Sequence, residues 1–422
     1  MADVIETFGR YVQNRINTRP LYVRRLLLTA YRAYGLKLKY LPDKNLSDAK
    51  KYLATLCMDC ITGPLSRPQR QVLTSMFTPC EIFYAMDAMP MCAEQYSTYA
   101  NGAGAEHGFI EAAESAGIAE TFCSYHKAVT GAAICGVMPR PAAIVNTSLA
   151  CDANNLTFRK AASLMDVPQY YIDVPYDPCE DAVEYVARQL KEMGGWLSDI
   201  MGRRLDEERL CRLVSNSRET IRVMNEVTNL KKERYVPTDL TSELYEALLM
   251  HNAMGLPNTL KYAKMLRDDL LKSAAAPGRK ILWMHTNPFY QKTAQSIFNY
   301  KKDPWIVLTE LCYDDLIETD DRDPYRAMAA RAVYDYYNGP AERRAEQAVR
   351  MAHKTGADGV ILFCHWGCKE TSGAAAIIEE TLTDAGFPTL VLNGDGVDRQ
   401  NSPDGQLSTR IGAFLEMLEV RS

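Results

Sequence analysis

The first 70 residues carry apolar positions at helical spacing. In "YVRRLLLTAYRAYG" (22–35) leucines and tyrosines recur every three or four positions, with arginines on the other side. Gly35 is a predicted stop. "LPDKNLSDAKKYLATLCMDCITG" predicts a second helix, capped by Ser47 and ended at Gly63. From 71 to 175 the pattern changes. Short apolar runs, "MPMCAE", "AAIVNTSLACD" and "PQYYIDVP", predict strands separated by helical stretches, and "TPCEIFYAMDA" starts like a helix with Pro79 early and Glu81 in its first turn. Residues 176–278 show long amphipathic stretches and little strand signal, and close on a Pro-Gly breaker in "SAAAPGRK". Across 279–422 "KILWMHT", "WIVLTELC", "GVILFC" and "TLVLNGD" predict strands, each followed by a helical stretch.

Strands alternating with helices imply parallel sheets covered by helices. The expected class is therefore α/β: two domains with parallel sheets flanked by helices (71–175 and 279–422), plus an N-terminal helical segment (1–70) and a helical connector (176–278). No period of about 20–50 residues marks a solenoid.

At 422 residues the chain is too long for one ordinary core. Lys plus Arg number 48 and Asp plus Glu 53, so the net charge is −5. That mild acidity argues against nucleic acid as the main partner. No run reaches the roughly 18 apolar residues of a membrane span, and "MADVIETFGRYVQNRINTRP" lacks a signal-peptide pattern. The expected location is cytoplasmic. The 12 cysteines then matter, because a reducing compartment disfavours disulfides and leaves packing, metal or redox chemistry.

Parallel sheets bind ligands beyond the carboxyl ends of their strands. Cys151 follows "AAIVNTSLA", Cys364 and Cys368 follow "GVILF", Cys312 ends "WIVLTELC", and Cys123 precedes the helical "SYHKAVTGAA". Cys123, Cys151 and Cys368 each come just before a helix, where unsatisfied N–H groups favour a thiolate. Cys135, Cys179 and Cys211 fall in or beside helical patterns and are assigned to packing or surface. The CxxC of Cys57 and Cys60 lies inside a helix and has no second pair to complete a zinc site. Three thiolates from distant segments suit an iron–sulfur cluster with one iron left open. Spacing alone leaves a zinc site or buried thiols as alternatives.

Several stretches carry a family likeness: "TPCEIFYAMDAMP", "CSYHKAVTGA", "CDANNLTFRKAASLMDVPQYYIDVP", "ADGVILFCHWGCKETSGA", "PTLVLNGDGVDRQN" and "GQLSTRIGAFLEML". The chain resembles the 2-hydroxyacyl-CoA dehydratase family, which also includes benzoyl-CoA reductase-like subunits and double-cubane cluster proteins. The resemblance implies an oxygen-sensitive [4Fe-4S] cluster on the matching Cys123, Cys151 and Cys368. It also implies an acyl-CoA substrate and a related second subunit in a heterodimer, or a homodimer. An ATP-dependent activator, itself an iron–sulfur protein, would inject one electron. The implied reaction is a radical lyase reaction of anaerobic amino-acid fermentation, removal of water from an (R)-2-hydroxyacyl-CoA through a ketyl radical. Cys80 and Cys364 depart from the pattern. As extra ligands they would favour a double-cubane [8Fe-9S] cluster and a reductase of the same superfamily; as packing residues they would not. A non-catalytic partner subunit is a further alternative.

Around these sulfurs the candidate catalytic residues are Glu81, as acid or base, and Ser75, as a hydrogen-bond donor to the departing hydroxyl. The bland readings are a helix first-turn carboxylate and a surface serine. His126 and His365, each three residues from a candidate ligand, are expected to donate N–H groups to cluster sulfurs, and Trp366 to shield the site from water. Asp395 and Asp398 fit turn and capping chemistry better than a carboxylate pair.

Overall fold

The computed structural model describes residues 2–317, 319–320, 322–402 and 404–421. Two four-stranded parallel sheets organise it. The first contains β1 (Gln71–Thr74), β2 (Met89–Cys92), β3 (Ala143–Thr147) and β4 (Gln169–Ile172), in the order β2-β1-β3-β4. The second contains β5 (Lys280–Met284), β6 (Trp305–Thr309), β7 (Gly359–His365) and β8 (Thr389–Gly394), in the order β6-β5-β7-β8. The two halves thus share one topology. In each, the strand order reverses between the first and third strands, which is where open parallel sheets leave a crevice for ligands.

The central strands β1, β3 and β7 are buried along their whole length, whereas the edge strands β4 and β8 are partly exposed. A strand covered on both faces has no reason to alternate polar and apolar residues. That is why β1, "QVLT", escaped the pattern reading while the longer strands of the second half did not.

Ser47 caps the helix Asp48–Ser66 as expected, its hydroxyl accepting from the Lys50 N–H at 3.3 Å. Gly35 and Gly63 do not end helices. The helix Pro20–Tyr40 runs through Gly35, and Asp48–Ser66 runs through Gly63. Gly35 serves close packing instead: a Cβ there would lie 3.4 Å from Met58 Cβ on the crossing helix. The middle of the chain is helical, with Glu180–Met201, Glu207–Lys231, Leu240–Asn252 and Pro257–Lys272. It is more than a connector. Val186, Leu190 and Leu213 share one apolar core with Val72 and Val145 of the first sheet and with Met328 and Val333 from the second half. Lys50, 2% exposed, reaches Glu243 at 3.1 Å and Glu246 at 2.7 Å, tying the N-terminal segment to the middle.

The halves are also joined directly. Ser124 donates to Asp395 Oδ1 at 2.6 Å, and the Tyr125 and Thr286 hydroxyls are 2.6 Å apart. Among the described residues no helix is long and apolar enough to cross a membrane.

Candidate functional site

The carboxyl ends of both sheets open toward the same space. β3 leads through Cys151 into the helix Asp152–Met165, and β7 leads through Cys368 into Lys369–Asp384. Cys123 precedes Ser124–Ile134. Each of the three is the N-cap residue of its helix, the position predicted to favour a thiolate. All three line one cavity, together with Glu94, His126, His285, His365, Tyr337 and Glu370. Its remaining wall is largely apolar, including Phe77, Leu244, Leu248 and Leu311. About 690 Å³ is free of protein atoms, mouth included.

Each sulfur has a histidine beside it. His365 Nε2 is 3.3 Å from Cys123 Sγ, His126 Nε2 is 3.4 Å from Cys151 Sγ, and His285 Nε2 is 3.7 Å from Cys368 Sγ. Two of the rings have a fixed tautomer. His365 Nδ1 accepts the Gly396 N–H at 3.0 Å, so its hydrogen sits on Nε2 and points at Cys123. His285 Nδ1 faces the Phe363 carbonyl at 3.2 Å and must donate, so its Nε2 presents a lone pair to Cys368. His285 also stands at φ +68°, an uncommon conformation for a residue with a Cβ. Its N–H is held by Glu310 Oε2 at 2.8 Å, and Glu310 is gripped at both oxygens by Arg344, each contact 2.8 Å.

Burial dominates the electrostatics. It raises the thiols of Cys123 and Cys151 well above the usual range and raises Cys368 as well. After burial, Cys368 weighs most on Cys123, and Cys123 and Cys368 weigh most on Cys151, so the sulfurs are electrostatic neighbours. Burial also lowers the histidines, His126 to about 3. Without a metal the site is therefore a set of neutral thiol–imidazole pairs. Binding a metal must displace thiol protons.

Among the described residues no three His, Cys, Asp or Glu groups are close enough to clasp a single metal ion. The sulfurs surround a space instead. Three soft donors around a polyatomic cavity fit an iron–sulfur cube, whose ligands are cysteine thiolates on separate irons. His126 Nδ1 and Glu94 Oε2 are buried in the same wall without hydrogen-bond partners.

The other candidates fall elsewhere. Cys364 and His365 are consecutive on β7, and strand alternation sends them to opposite faces. His365 enters the cavity, while Cys364 Sγ faces the Ser372 hydroxyl at 3.4 Å and is absent from the cavity wall. Cys80 is buried in the first-half core, its Sγ donating to the Thr78 carbonyl at 3.3 Å. Trp366 does not cover the sulfurs. It is 37% exposed and lines an outer groove with Phe122, Lys127 and Asp398. Ser75 is buried rather than on the surface. It bridges the Thr78 hydroxyl at 2.8 Å and the Thr147 N–H at 3.3 Å, knitting β1 to β3. Glu81 lines a neighbouring cavity with Arg331, Asp335 and His251, separated by Met76 and Phe77, which border both spaces. Its Oε1 accepts from Ser217 at 2.6 Å. Cys312 lies in the turn Glu310–Cys312, its Sγ 3.6 Å from the Glu243 carbonyl. Asp395 Oδ1 accepts the N–H groups of Val397 and Asp398, each at 2.8 Å, which is turn chemistry as expected.

His285, Glu94 and Tyr337 were missed. His285 was visible as the polar end of "KILWMHT", but only the pairing of β5 with β7 sets it beside Cys368. Glu94 and Tyr337 carried no local signal.

A family model described as 2-hydroxyglutaryl-CoA dehydratase, D-component, matches residues 75–418. The chain is 25% identical over 368 residues to the lactoyl-CoA dehydratase subunit alpha of Anaerotignum propionicum, covering 76% of this chain and 85% of that one. It is 21% identical to the (R)-phenyllactyl-CoA dehydratase alpha subunit of Clostridium sporogenes, covering 81% and 88%. It is 22% identical to the (R)-2-hydroxyglutaryl-CoA dehydratase subunit alpha of Acidaminococcus fermentans, covering 67% and 61%. With a match running from the end of β1 nearly to the C-terminus, the chain belongs to the 2-hydroxyglutaryl-CoA dehydratase D-component family.

Proposed function

We propose that this chain is the iron–sulfur subunit of an (R)-2-hydroxyacyl-CoA dehydratase, working with a related second subunit and an ATP-dependent electron-donating activator. The observation that carries the reading is the convergence of Cys123, Cys151 and Cys368, three helix N-caps, around one cavity in a chain of this family. Cys80 and Cys364 turn away from that cavity, which favours a single [4Fe-4S] cluster over a double cubane.

The reaction explains the architecture. The β-hydrogen of a 2-hydroxyacyl thioester is not adjacent to the carbonyl, so simple acid–base elimination is blocked. One electron on the thioester carbonyl gives a ketyl radical anion that expels the 2-hydroxyl, after which the β-proton becomes acidic. When bound, the cluster supplies one-electron chemistry and an open iron. The chain supplies the rest. Cys123, Cys151 and Cys368 would hold the cluster. His365 would direct its Nε2 hydrogen to the Cys123 thiolate, and a hydrogen bond to a ligand sulfur raises a cluster's potential. Phe77, Leu244, Leu248 and Leu311 keep water from the radical.

The test is purification without oxygen, followed by iron and sulfide analysis and assay with activator, ATP and second subunit. About four irons per chain and conversion of a 2-hydroxyacyl-CoA to its enoyl-CoA are expected. A colourless, iron-free protein would refute the proposal, and about eight irons per chain would point to the double cubane.

A further inference from the structure

Beyond C2 a 2-hydroxyacyl group can carry a hydrocarbon or a charged end, and the wall of the cavity discriminates between them. Among the described residues no Lys or Arg lines it. Two guanidiniums lie close by, and both are engaged. Arg344 sends Nε and Nη2 to Glu310, each at 2.8 Å, and Nη1 to the Thr371 hydroxyl at 3.3 Å. Arg331 lies in the neighbouring cavity, across Met76 and Phe77, with Nε on Asp314 at 2.6 Å and Nη1 3.6 Å from Glu81. The acidic residues that do line the cavity, Glu94 and Glu370, have the wrong sign for an anionic chain. The three histidines turn their Nε2 atoms onto the sulfurs. An apolar patch, by contrast, is built into the wall. Met76, Leu311 and Tyr337, with Phe77 and Ala150 packed against them, belong to a small apolar cluster distinct from the cores of the two sheets, and all five line the cavity. The rings of Phe77 and Tyr337 are 5.1 Å apart. Leu244 and Leu248, one turn apart on the helix Leu240–Asn252, extend the same wall.

We infer that the acyl chain taken here ends in an uncharged hydrocarbon, branched or aromatic, held against Phe77, Leu311 and Tyr337, an inference that rests on the dehydratase reading above. A chain ending in a carboxylate would bury its charge in a wall that holds Glu94 and Glu370 and no counter-ion, and an unpaired buried charge is strongly disfavoured. Binding as the neutral acid avoids that cost but reduces the available ligand. A carboxyl of ordinary pKa, about 4.3, is protonated in about one molecule in 500 at pH 7. Discrimination against the charged chain is therefore about 100- to 500-fold. A hydrocarbon end gains instead from each buried CH₂ and, where aromatic, from ring contact with Phe77 and Tyr337.

The experiment measures kcat/KM in the assembled, cluster-loaded enzyme for three (R)-acyl-CoA probes of matched shape. They end in an isopropyl group (2-hydroxy-5-methylhexanoyl-CoA), a primary amide (2-hydroxy-4-carbamoylbutanoyl-CoA) and a carboxylate (2-hydroxyglutaryl-CoA). Lactoyl-CoA is the short reference. The isopropyl probe should exceed the carboxylate probe at least about 100-fold, with the amide between them, so that charge is separated from size. Calorimetry of binding without activator should give the same order independently of turnover. Phe77→Ala should raise KM for the isopropyl probe about tenfold more than for lactoyl-CoA, whose methyl group is too short to use the whole wall. Iron content should stay within about twofold; should Phe77→Ala lose iron, Phe77→Leu should show the same bias at about threefold. A carboxylate probe within about tenfold of the isopropyl probe would overturn the inference and leave the dehydratase reading standing. An equal change for long and short chains in the Phe77 variants would also overturn it. Wild type that holds iron yet converts none of the four probes would count against the dehydratase reading, and the inference would fall with it.

Discussion

Removing Arg344 should destabilise the protein through the charge it leaves behind. Arg344 is 1% exposed and Glu310 is fully buried. The guanidinium meets both carboxylate oxygens at 2.8 Å, approaches the Thr371 hydroxyl at 3.3 Å, and lies 4.6 Å above the ring of Tyr337. In Arg344→Met the apolar contact survives while the Glu310 carboxylate stays buried, with no cation to replace the guanidinium among the described residues and only neutral groups, the His285 N–H and the Tyr337 hydroxyl, to answer it. Breaking a buried pair in this way costs about 3–5 kcal/mol. Arg344→Lys keeps the charge but loses the two-pronged geometry, and should cost less, about 1.5–3 kcal/mol. Adding Glu310→Gln to Arg344→Met removes the stranded charge and should restore about 2 kcal/mol. The assay is urea unfolding of wild type, the single variants and the double variant, read as a double-mutant cycle. Labelling of Cys368 by a thiol reagent reports the site, since Arg344 links Thr371 beside Cys368 to Glu310 beneath His285. Labelling should be faster in Arg344→Met. A single-variant cost below about 1 kcal/mol, or a double variant no more stable than Arg344→Met, would refute the reasoning.

Gly367 sits at φ +79°, and a Cβ there would lie 2.6 Å from the Cys123 backbone nitrogen. Gly367→Ala should therefore prise apart the strands of chain carrying Cys123 and Cys368, costing about 2–4 kcal/mol by thermal unfolding; an unchanged Tm would contradict this. Burial raises Glu106 to about 8 from its ordinary 4.5, although Arg399 lies 3.4 Å away. Between those values the folded state holds a proton that the unfolded state has lost, so stability should fall as pH rises from about 4.5 to about 8. Glu106→Gln should flatten that slope in urea titrations across the window. Replacing Cys123, Cys151 or Cys368 by Ala should strip most of the iron from anaerobically prepared protein. Cys364→Ala and Cys80→Ala should retain about four irons per chain, and loss of iron from either would return it to the ligand set.

Local chemistry was legible without coordinates. The α/β class, the helical middle and the cap at Ser47 follow from period and residue type, because such elements are stabilised by neighbours in sequence. The placement of Cys123, Cys151 and Cys368 before helices was legible for the same reason. Other features depended on distant neighbours. Gly35 reads as a helix stop until the crossing helix with Met58 shows that it is a contact point. Cys364 looks equivalent to Cys368 in sequence, yet the pleat of β7 turns it to the other face. The partnership of each sulfur with a histidine, the Arg344–Glu310 grip beneath His285, and the unpartnered oxygen of Glu94 join residues up to 242 positions apart. Chain chemistry determined which groups were available. The pairing order of two parallel sheets, and the burial they impose, decided which of them meet.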